Sequence, residues 1–358
     1  MSVSEGQGVD NSVGIEPPVD PAGESVIPAE DPVEARRRAR KRVLNSSPTW
    51  MLGVLVGIII VFTILSPSAF PSAANARNII LDAATLMVMA VAMTYVMVAG
   101  GFDLSIGSVL VFANVCAAKA MESMGTDNGI TILVGLLVAL LAGLVWGVFN
   151  GFCITKLRVP PLITTLGTLG AALGVAQLIT GGNDLRDVPL TLINLGSDEF
   201  LGLSYIVWVA AVVTVIGAVI LQVTRFGRHT YIIGSNAEAA RRAGINVDRH
   251  VLKLYALSGL AAGLAGMLSL AQFATTTIAG HSTDVIAVIT GVVLGGTSLY
   301  GGIGWVAGTV VGIFIPATLN NGFIILNVQP FWQEVATGFI LIGAVYIDQL
   351  KRRSRERS

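Results

Sequence analysis

TRFGRHTYIIGSNAEAARRAGINVDRH, residues 224–250, is the longest charged interruption in an otherwise apolar chain. It carries Arg225, Arg228, His229, Glu238, Arg241, Arg242, Asp248 and Arg249. That is too polar to lie in hydrocarbon, and basic enough to sit on the cytoplasmic side of a membrane. Six apolar runs precede it and four follow. Once this stretch is placed inside, the orientation of every other run is fixed.

The composition agrees with a membrane setting. Of 358 residues, 53% are hydrophobic and 12% charged, about half the charged share of a soluble domain, and the mean hydropathy is +0.75. The formal net charge of zero says little about partners, because acids and bases are segregated. Before Arg36 the tail is purely acidic, whereas EARRRARKR at 34–42 is almost purely basic. Beside a membrane span, that basic cluster reads as a cytoplasmic anchor on anionic headgroups rather than a nucleic-acid patch. Residues 1–34, rich in Pro, Gly, Ser and acids, lack the apolar surface needed to offset ordering, and disorder is expected there. With its charge acidic and its basic cluster late, the tail is not a signal peptide.

A helix needs about 20 mostly apolar residues to cross a bilayer. The runs are at about 50–65, 79–99, 108–121, 130–149, 162–180, 203–223, 251–273, 285–299, 303–319 and 331–347. Lys156 and Arg158 in ITKLRVPP, 154–161, face the cytoplasm in this scheme. The acidic connector GGNDLRDVPLTLINLGSDEFLG, 181–202, faces outward, and the basic QLKRRSRERS, 349–358, returns inside. The expected fold class is therefore all-α: a polytopic transmembrane helical bundle of about ten spans, with both termini cytoplasmic. Its organisation is a tail at 1–45, a membrane domain at 46–350 containing the 224–250 loop, and a basic tail at 351–358. The fifth, eighth and ninth spans are short or glycine-broken, so half-membrane or re-entrant helices are expected there, where protein or a cavity surrounds them. VWGVFNGF, 145–152, is echoed by FIPATLNNGF, 314–323, at the opposite face. This echo raises the expectation of an inverted repeat of five spans each.

Enzyme chemistry is not expected. No Gly-Lys pair occurs, so there is no phosphate loop of the GxxxxGK[ST] kind. His229, His250 and His281 are scattered over loops, and neither HExxH nor CxxC is present. Cys116 and Cys153 lie in apolar runs and read as small buried residues. No cofactor or metal is called for.

The informative residues are polar groups in or beside hydrocarbon. Asp103 in GGFDLSIGS, 100–108, either caps the third span through the free amides near Ser105 and Ile106 or meets the substrate directly. Asn114, Asn150, Thr164, Thr165, Thr168, Gln177, Asn320 and Asn321 are neutral groups at span positions. They suit passage of an uncharged polyhydroxylated solute, or else hydrogen-bond neighbouring helices. The 41 glycines read first as close helix packing. Within the opening loop, SNAEAARRA offers a short helix. Its N-cap is at Ser235 or Asn236, Glu238 lies in its first turn, Arg241 and Arg242 lie later, and Gly244 is its C-cap. With Ala239, Ala240 and Ala243 close along one side and Ile245 following, it is either an ordinary surface helix or one made to dock in a partner's groove.

Four motifs together resemble the permease subunits of bacterial ATP-binding-cassette importers for ribose, xylose, galactose and related sugars. They are GGFDLSIGS, ITKLRVPPLITTLGT at 154–168, GSNAEAARRAGINV at 234–247 and LGGTSLYGGIGWVAGTVVG at 294–312. The resemblance covers about residues 50–347 and leaves out the acidic tail. It implies a homodimer, or a heterodimer with a close relative, in the bacterial cell membrane around a central path. It also implies a cytoplasmic ATPase, often two domains fused in tandem, and an extracytoplasmic sugar-binding protein. The helix around Glu238 to Gly244 would match the family's coupling helix, seated in the ATPase. Such a chain transports and does not itself hydrolyse ATP. The alternatives are a related permease for branched-chain amino acids or nucleosides, and a proton-coupled secondary transporter.

Overall fold

The computed structural model describes residues 47–278, 281 and 284–356. The expected disorder before residue 35 and the basic cluster at 34–42 lie outside the described residues. What is described is a helical bundle, and its elements begin and end where local chemistry dictates.

Helix α1, Ser47–Leu65, stops before Pro67. Helix α2, Ala73–Val98, starts on Ser72, whose hydroxyl accepts from the Asn75 amide, and so extends six residues into the connector expected at 67–78. Helix α3, Ile106–Met124, ends on Gly125 in the left-handed region. In α4, Gly129–Thr155, Asn128 caps the start by accepting from the Ile130 and Thr131 amides. Helix α5, Pro161–Thr180, opens with a proline that has no N–H to lose. Its 20 residues are continuous, as are those of α12, Val306–Ile325, despite Pro316 inside it. The fifth and ninth spans are thus not broken helices.

The acidic connector holds a short helix α6, Leu190–Ser197, and a two-residue hairpin of β1, Glu199–Phe200, and β2, Leu203–Ser204. Helix α7, Tyr205–Val223, follows. The central loop folds as α8, Arg225–Ser235, and α9, Ala237–Arg242, before α10, Val247–Phe273. Helix α11, Asp284–Leu294, has 11 residues and reaches about 16 Å, roughly half the hydrocarbon thickness. That length suits the half-membrane helix expected for the eighth span. The chain passes through α12 to α13, Pro330–Glu356, which contains the tenth expected span. Among the described residues, seven helices, α2, α3, α4, α5, α7, α10 and α12, are long and apolar enough to cross a membrane.

The core of the bundle is α10 against α4. Along α4, Gly135, Ala139, Gly143, Gly147 and Gly151 recur every fourth residue and are all buried. A Cβ at Gly143 would overlap the carbonyl of Gly259, and one at Gly147 would overlap that of Tyr255. Small residues at this period let two backbones touch, which in lipid gives the packing that the hydrophobic effect cannot. On the opposite face of α4, Leu133, Leu137, Leu141 and Val145 are exposed at the same spacing. In a bilayer those side chains meet acyl chains.

The connectors sort into two sets that alternate along the chain. At one end, the Thr191 amide donates to Asp127 Oδ1 at 3.0 Å, the Thr276 amide to Leu185 O at 2.9 Å and the Ile278 amide to Asp184 Oδ1 at 2.9 Å. Arg77 pairs with Glu199 there at 3.4 Å. The hydrogen bonds from the Thr191 hydroxyl and amide hold the Asp127 carboxyl below its ordinary value. At the other end, the Gly302 amide donates to Val98 O at 2.8 Å, and Arg158 meets Asp248 at 3.2 Å.

Candidate coupling and translocation site

The second end gathers residues of all four quoted motifs, Gly100, Arg158, Gly234 and Gly301 among them. Thr224 caps α8 by accepting from the Gly227 amide. From that start, Phe226, Thr230 and Ile233 turn inward: Thr230 Oγ1 lies 2.8 Å from His250 Nε2, and the Phe226 ring is 4.5 Å from that imidazole. Tyr231 donates to Gly304 O at 2.6 Å. Burial raises the Tyr231 phenol above its ordinary value, so it remains a donor through the physiological range. At the end of α8, a Cβ on Gly234 would overlap Val98 O and fall 2.6 Å from the Gly302 amide. Gly301, at φ +84°, is also close-packed: a Cβ there would lie 2.9 Å from Gly100 N and from Gly234 O. The end of α2, the end of α8 and the 295–304 turn therefore meet backbone to backbone, and a shift of one is felt by the others.

Helix α9 hangs from this junction. Asn236, one of the two expected caps, accepts from the Ala239 amide at 2.9 Å. Gly244, at φ +83°, closes the helix as expected, its amide donating to Arg241 O. Ala240 is fully buried and packs with Ile233 and Val247, against half-buried Ile245. The three alanines do not present one free face: Ala240 points inward, while Ala239 and Ala243 stay exposed with Glu238, Arg241 and Arg242. Ser235 and Asn236 are also exposed. The surface left for a partner is thus small and charged.

Asp103 lies 2% exposed in the break between α2 and α3. Its Oδ1 accepts from the Ser105 amide at 3.0 Å and the Ser105 hydroxyl at 2.6 Å. Oδ2 accepts from the Ser258 hydroxyl of α10 at 2.6 Å. The amide of Asn150 in α4 donates to Ser105 Oγ at 2.9 Å. Nearby, Tyr255 donates to Phe102 O at 2.9 Å. The local half of the cap reading is present, and a second function is visible: the carboxylate ties the start of α3 to α10 and, through Ser105, to α4.

The neutral polar candidates do not converge. Asn114 donates to Gly266 O across the α3–α10 contact at 3.1 Å, whereas Thr165 and Thr168 return their hydroxyls to their own helix. Gln177 is exposed. Asn114, Asn150, Thr164, Asn320 and Asn321 each keep a buried side-chain oxygen without a partner. An apolar groove of ≈ 250 Å³ between α2, α7 and α12 contains none of these polar residues. Neither does a hollow of ≈ 30 Å³ where the starts of α3 and α11 meet at Gly107 and Val285. Sequence reading did not single out α8, Ser258, Tyr231 or the pairing of Arg158 with Asp248. The Thr-Arg-Phe-Gly start of α8 carried a cap signal; the rest depend on residues far apart in the chain.

Asp103→Ala leaves Ser105, Ser258 and Asn150 facing a buried void. It is expected to lower transport about tenfold or more, with stability falling by about 2–4 kcal/mol and α9 still docked to its partner. Asp103→Asn can accept from Ser105 and donate to Ser258, so transport within about threefold of native is expected if the tie is what matters. Uptake and thermal melting of both variants check this.

A bundle of lipid-facing helices whose breaks and charged loop meet at one end defines a multi-pass membrane permease. Residues 75–345 match the family described as "Branched-chain amino acid transport system / permease component", and the chain belongs to that family. It is 35% identical to the ribose import permease protein of Bacillus subtilis (strain 168) over 89% of this chain and 98% of that protein. It is 34% identical to the L-arabinose transport system permease protein of Escherichia coli (strain K12) over 85% and 91%. With the autoinducer 2 import system permease protein of Photorhabdus laumondii, identity is 31% over 85% and 90%. No solved structure matches significantly.

Proposed function

We propose that this chain is the translocation subunit of an ATP-binding-cassette importer that moves a monosaccharide such as ribose or xylose across the cell membrane. ATP is hydrolysed by a separate cytoplasmic ATPase, and an extracytoplasmic sugar-binding protein delivers the solute. Two permease chains, identical or closely related, enclose the path in the inner membrane, each with ten spans and both termini cytoplasmic. The alternating connector contacts support that topology. The echo of 145–152 in 314–323 remains the argument for an inverted repeat: Asn150 and Asn321 occupy matching positions and both are buried.

The single observation that carries the reading is the junction of α2, α8 and the 295–304 turn, with α9 projecting from it. ATP shifts a two-state equilibrium only through contacts that differ between the states. A small exposed helix welded to two membrane elements is where such contacts act. Ser235, Asn236, Glu238, Ala239, Arg241, Arg242, Gly244 and Ile245 are proposed as the coupling surface and its support. Asn114, Asn150, Thr164, Thr165, Gln177, Asn320 and Asn321 are proposed along the path, with Asp103 holding the helices that border it. Sugar, rather than a zwitterion, fits the chemistry: the buried carboxylate of Asp103 is already engaged by two serines, and the other seven are neutral.

The test is uptake of labelled pentoses by proteoliposomes containing the chain with the ATPase and binding protein encoded beside it. Uptake that needs ATP and survives an uncoupler is expected. Uptake that collapses with the uncoupler and survives ATP depletion would mean a secondary transporter.

A further inference from the structure

The second end of the bundle is basic, and in residues 154–161 and 224–253 there are two carboxylates, Glu238 and Asp248. Each bridges two arginines. Asp248 takes Arg158 at 3.2 Å on Oδ2 and Arg241 at 3.6 Å on Oδ1. Glu238 takes Arg241 at 3.8 Å and Arg242 at 3.4 Å. The result is an unbroken ionic chain, Arg242–Glu238–Arg241–Asp248–Arg158. It runs from the outer edge of α9 to the turn that enters α5.

Both ends of that chain are exposed, Arg158 at 66%, but they differ in stiffness. Arg242 and Glu238 stand well exposed, at 79% and 62%, whereas the Asp248 side chain is 26% exposed. Asp248 itself is fixed in the first turn of α10, which Asn246 caps by accepting from the Arg249 amide. Arg158 is held in the left-handed region, φ 59°, within a turn closed by the Val159 amide on Cys153 O and followed by Pro160 and Pro161. Such a turn has little freedom to absorb a displacement, so a pull on Arg158 moves the start of α5.

Helix α5 packs on the bundle through one face, where Thr165, Ala172 and Ala176 are buried, and is open on the other. A Cβ at Gly167, Gly170 or Gly174 would meet nothing within 4 Å, and the buried Thr164 hydroxyl has no partner. Pairs this exposed add little stability. Their value is geometric: they tie the exposed α9 to the turn that enters α5.

We propose that Asp248 is the positioning residue through which displacement of α9 reaches α5. This rests on the importer reading above. When α9 moves, Arg241 reorients the Asp248 carboxylate on its fixed backbone, and Arg158, held on the other carboxylate oxygen, is drawn with it. The turn and α5 follow, while the close-packed α4–α10 pair stays put.

The experiment uses the importer reconstituted in proteoliposomes with its ATPase and binding protein. A fluorescent thiol probe sits on α5 at Leu166→Cys, with Cys116 and Cys153 replaced by serine. In Asp248→Asn, sugar uptake per ATP hydrolysed is expected to fall about tenfold, within the range of measured coupling between sites. ATPase co-purification is retained, and the probe stops responding to nucleotide. Asp248→Glu keeps the charge and restores both readouts; Arg158→Gln reproduces the loss. Native uptake per ATP with an intact probe response in Asp248→Asn overturns the proposal. So does loss of ATPase co-purification, which would make Asp248 a docking residue. If the native importer itself shows no ATP-driven uptake, the importer reading fails, independently of the tie.

Discussion

Gly259→Val is expected to leave almost no folded protein. A Cβ at this position would overlap the carbonyl oxygen of Gly143, and it would also lie 2.9 Å from the Cα of Gly147. Both obstacles are backbone, so no rotamer change relieves them. The helices must part, and every contact along the α4–α10 seam weakens together. Overpacking of ordinary cores costs about 1–3 kcal/mol; here, with backbone against backbone, about 3 kcal/mol or more is expected. The measurement is the yield of monodisperse protein in detergent and its melting temperature. Gly167→Val on α5, where a Cβ meets nothing within 4 Å, is the matched control and is expected to fold. Equal yields from the two variants would mean that the seam is not what holds the bundle.

Glu238→Arg is expected to have the largest effect on function with the least effect on folding. Its carboxylate is well exposed and pairs with Arg241 and Arg242 at 3.8 and 3.4 Å, contacts worth at most about 1 kcal/mol in stability. Reversal sets three cations side by side on α9 and removes its one acid. A partner surface matched to an alternating pattern would meet repulsion instead. Sugar-stimulated ATP hydrolysis is expected to fall to the unstimulated rate, about tenfold or more, with membrane insertion and melting unchanged. A bulky residue at Gly244 is expected to act in the same direction, because φ +83° is unfavourable for a side chain and the turn into α10 would shift. Full coupling in either variant would remove α9 from the mechanism.

Much of this molecule was legible in order along the chain. Asn236, Glu238 and Gly244 marked α9 because capping is local: the donor and acceptor are three residues apart. Local chemistry likewise ends α3 at Gly125 and α5 at Gly181, both in the left-handed region, and starts α5 at Pro161. Helix α8 was missed because its residues are as charged as a loop's. Only when packed does its inner face of Phe226, Thr230 and Ile233 separate from its outer one. Asp103 was legible as a cap, through Ser105 two residues away, but not as a tie to Ser258, 155 residues on.

By itself the sequence marked out the apolar runs, sorted the connectors by charge, and showed residues 224–250 as the charged loop between six runs and four. Charge and hydropathy are summed over short stretches and need no partner to be read. The small-residue ladder of α4 was also written there, every fourth residue from Gly135 to Gly151. Only the tertiary structure decided that the ladder meets Gly259 and Gly263, that Gly234 locks against Val98 and Gly302, and that Arg158 finds Asp248 90 residues away. Helix pairing and register depend on which surfaces fit when every helix is present at once. A lone helix carries the surface but not the choice of its partner.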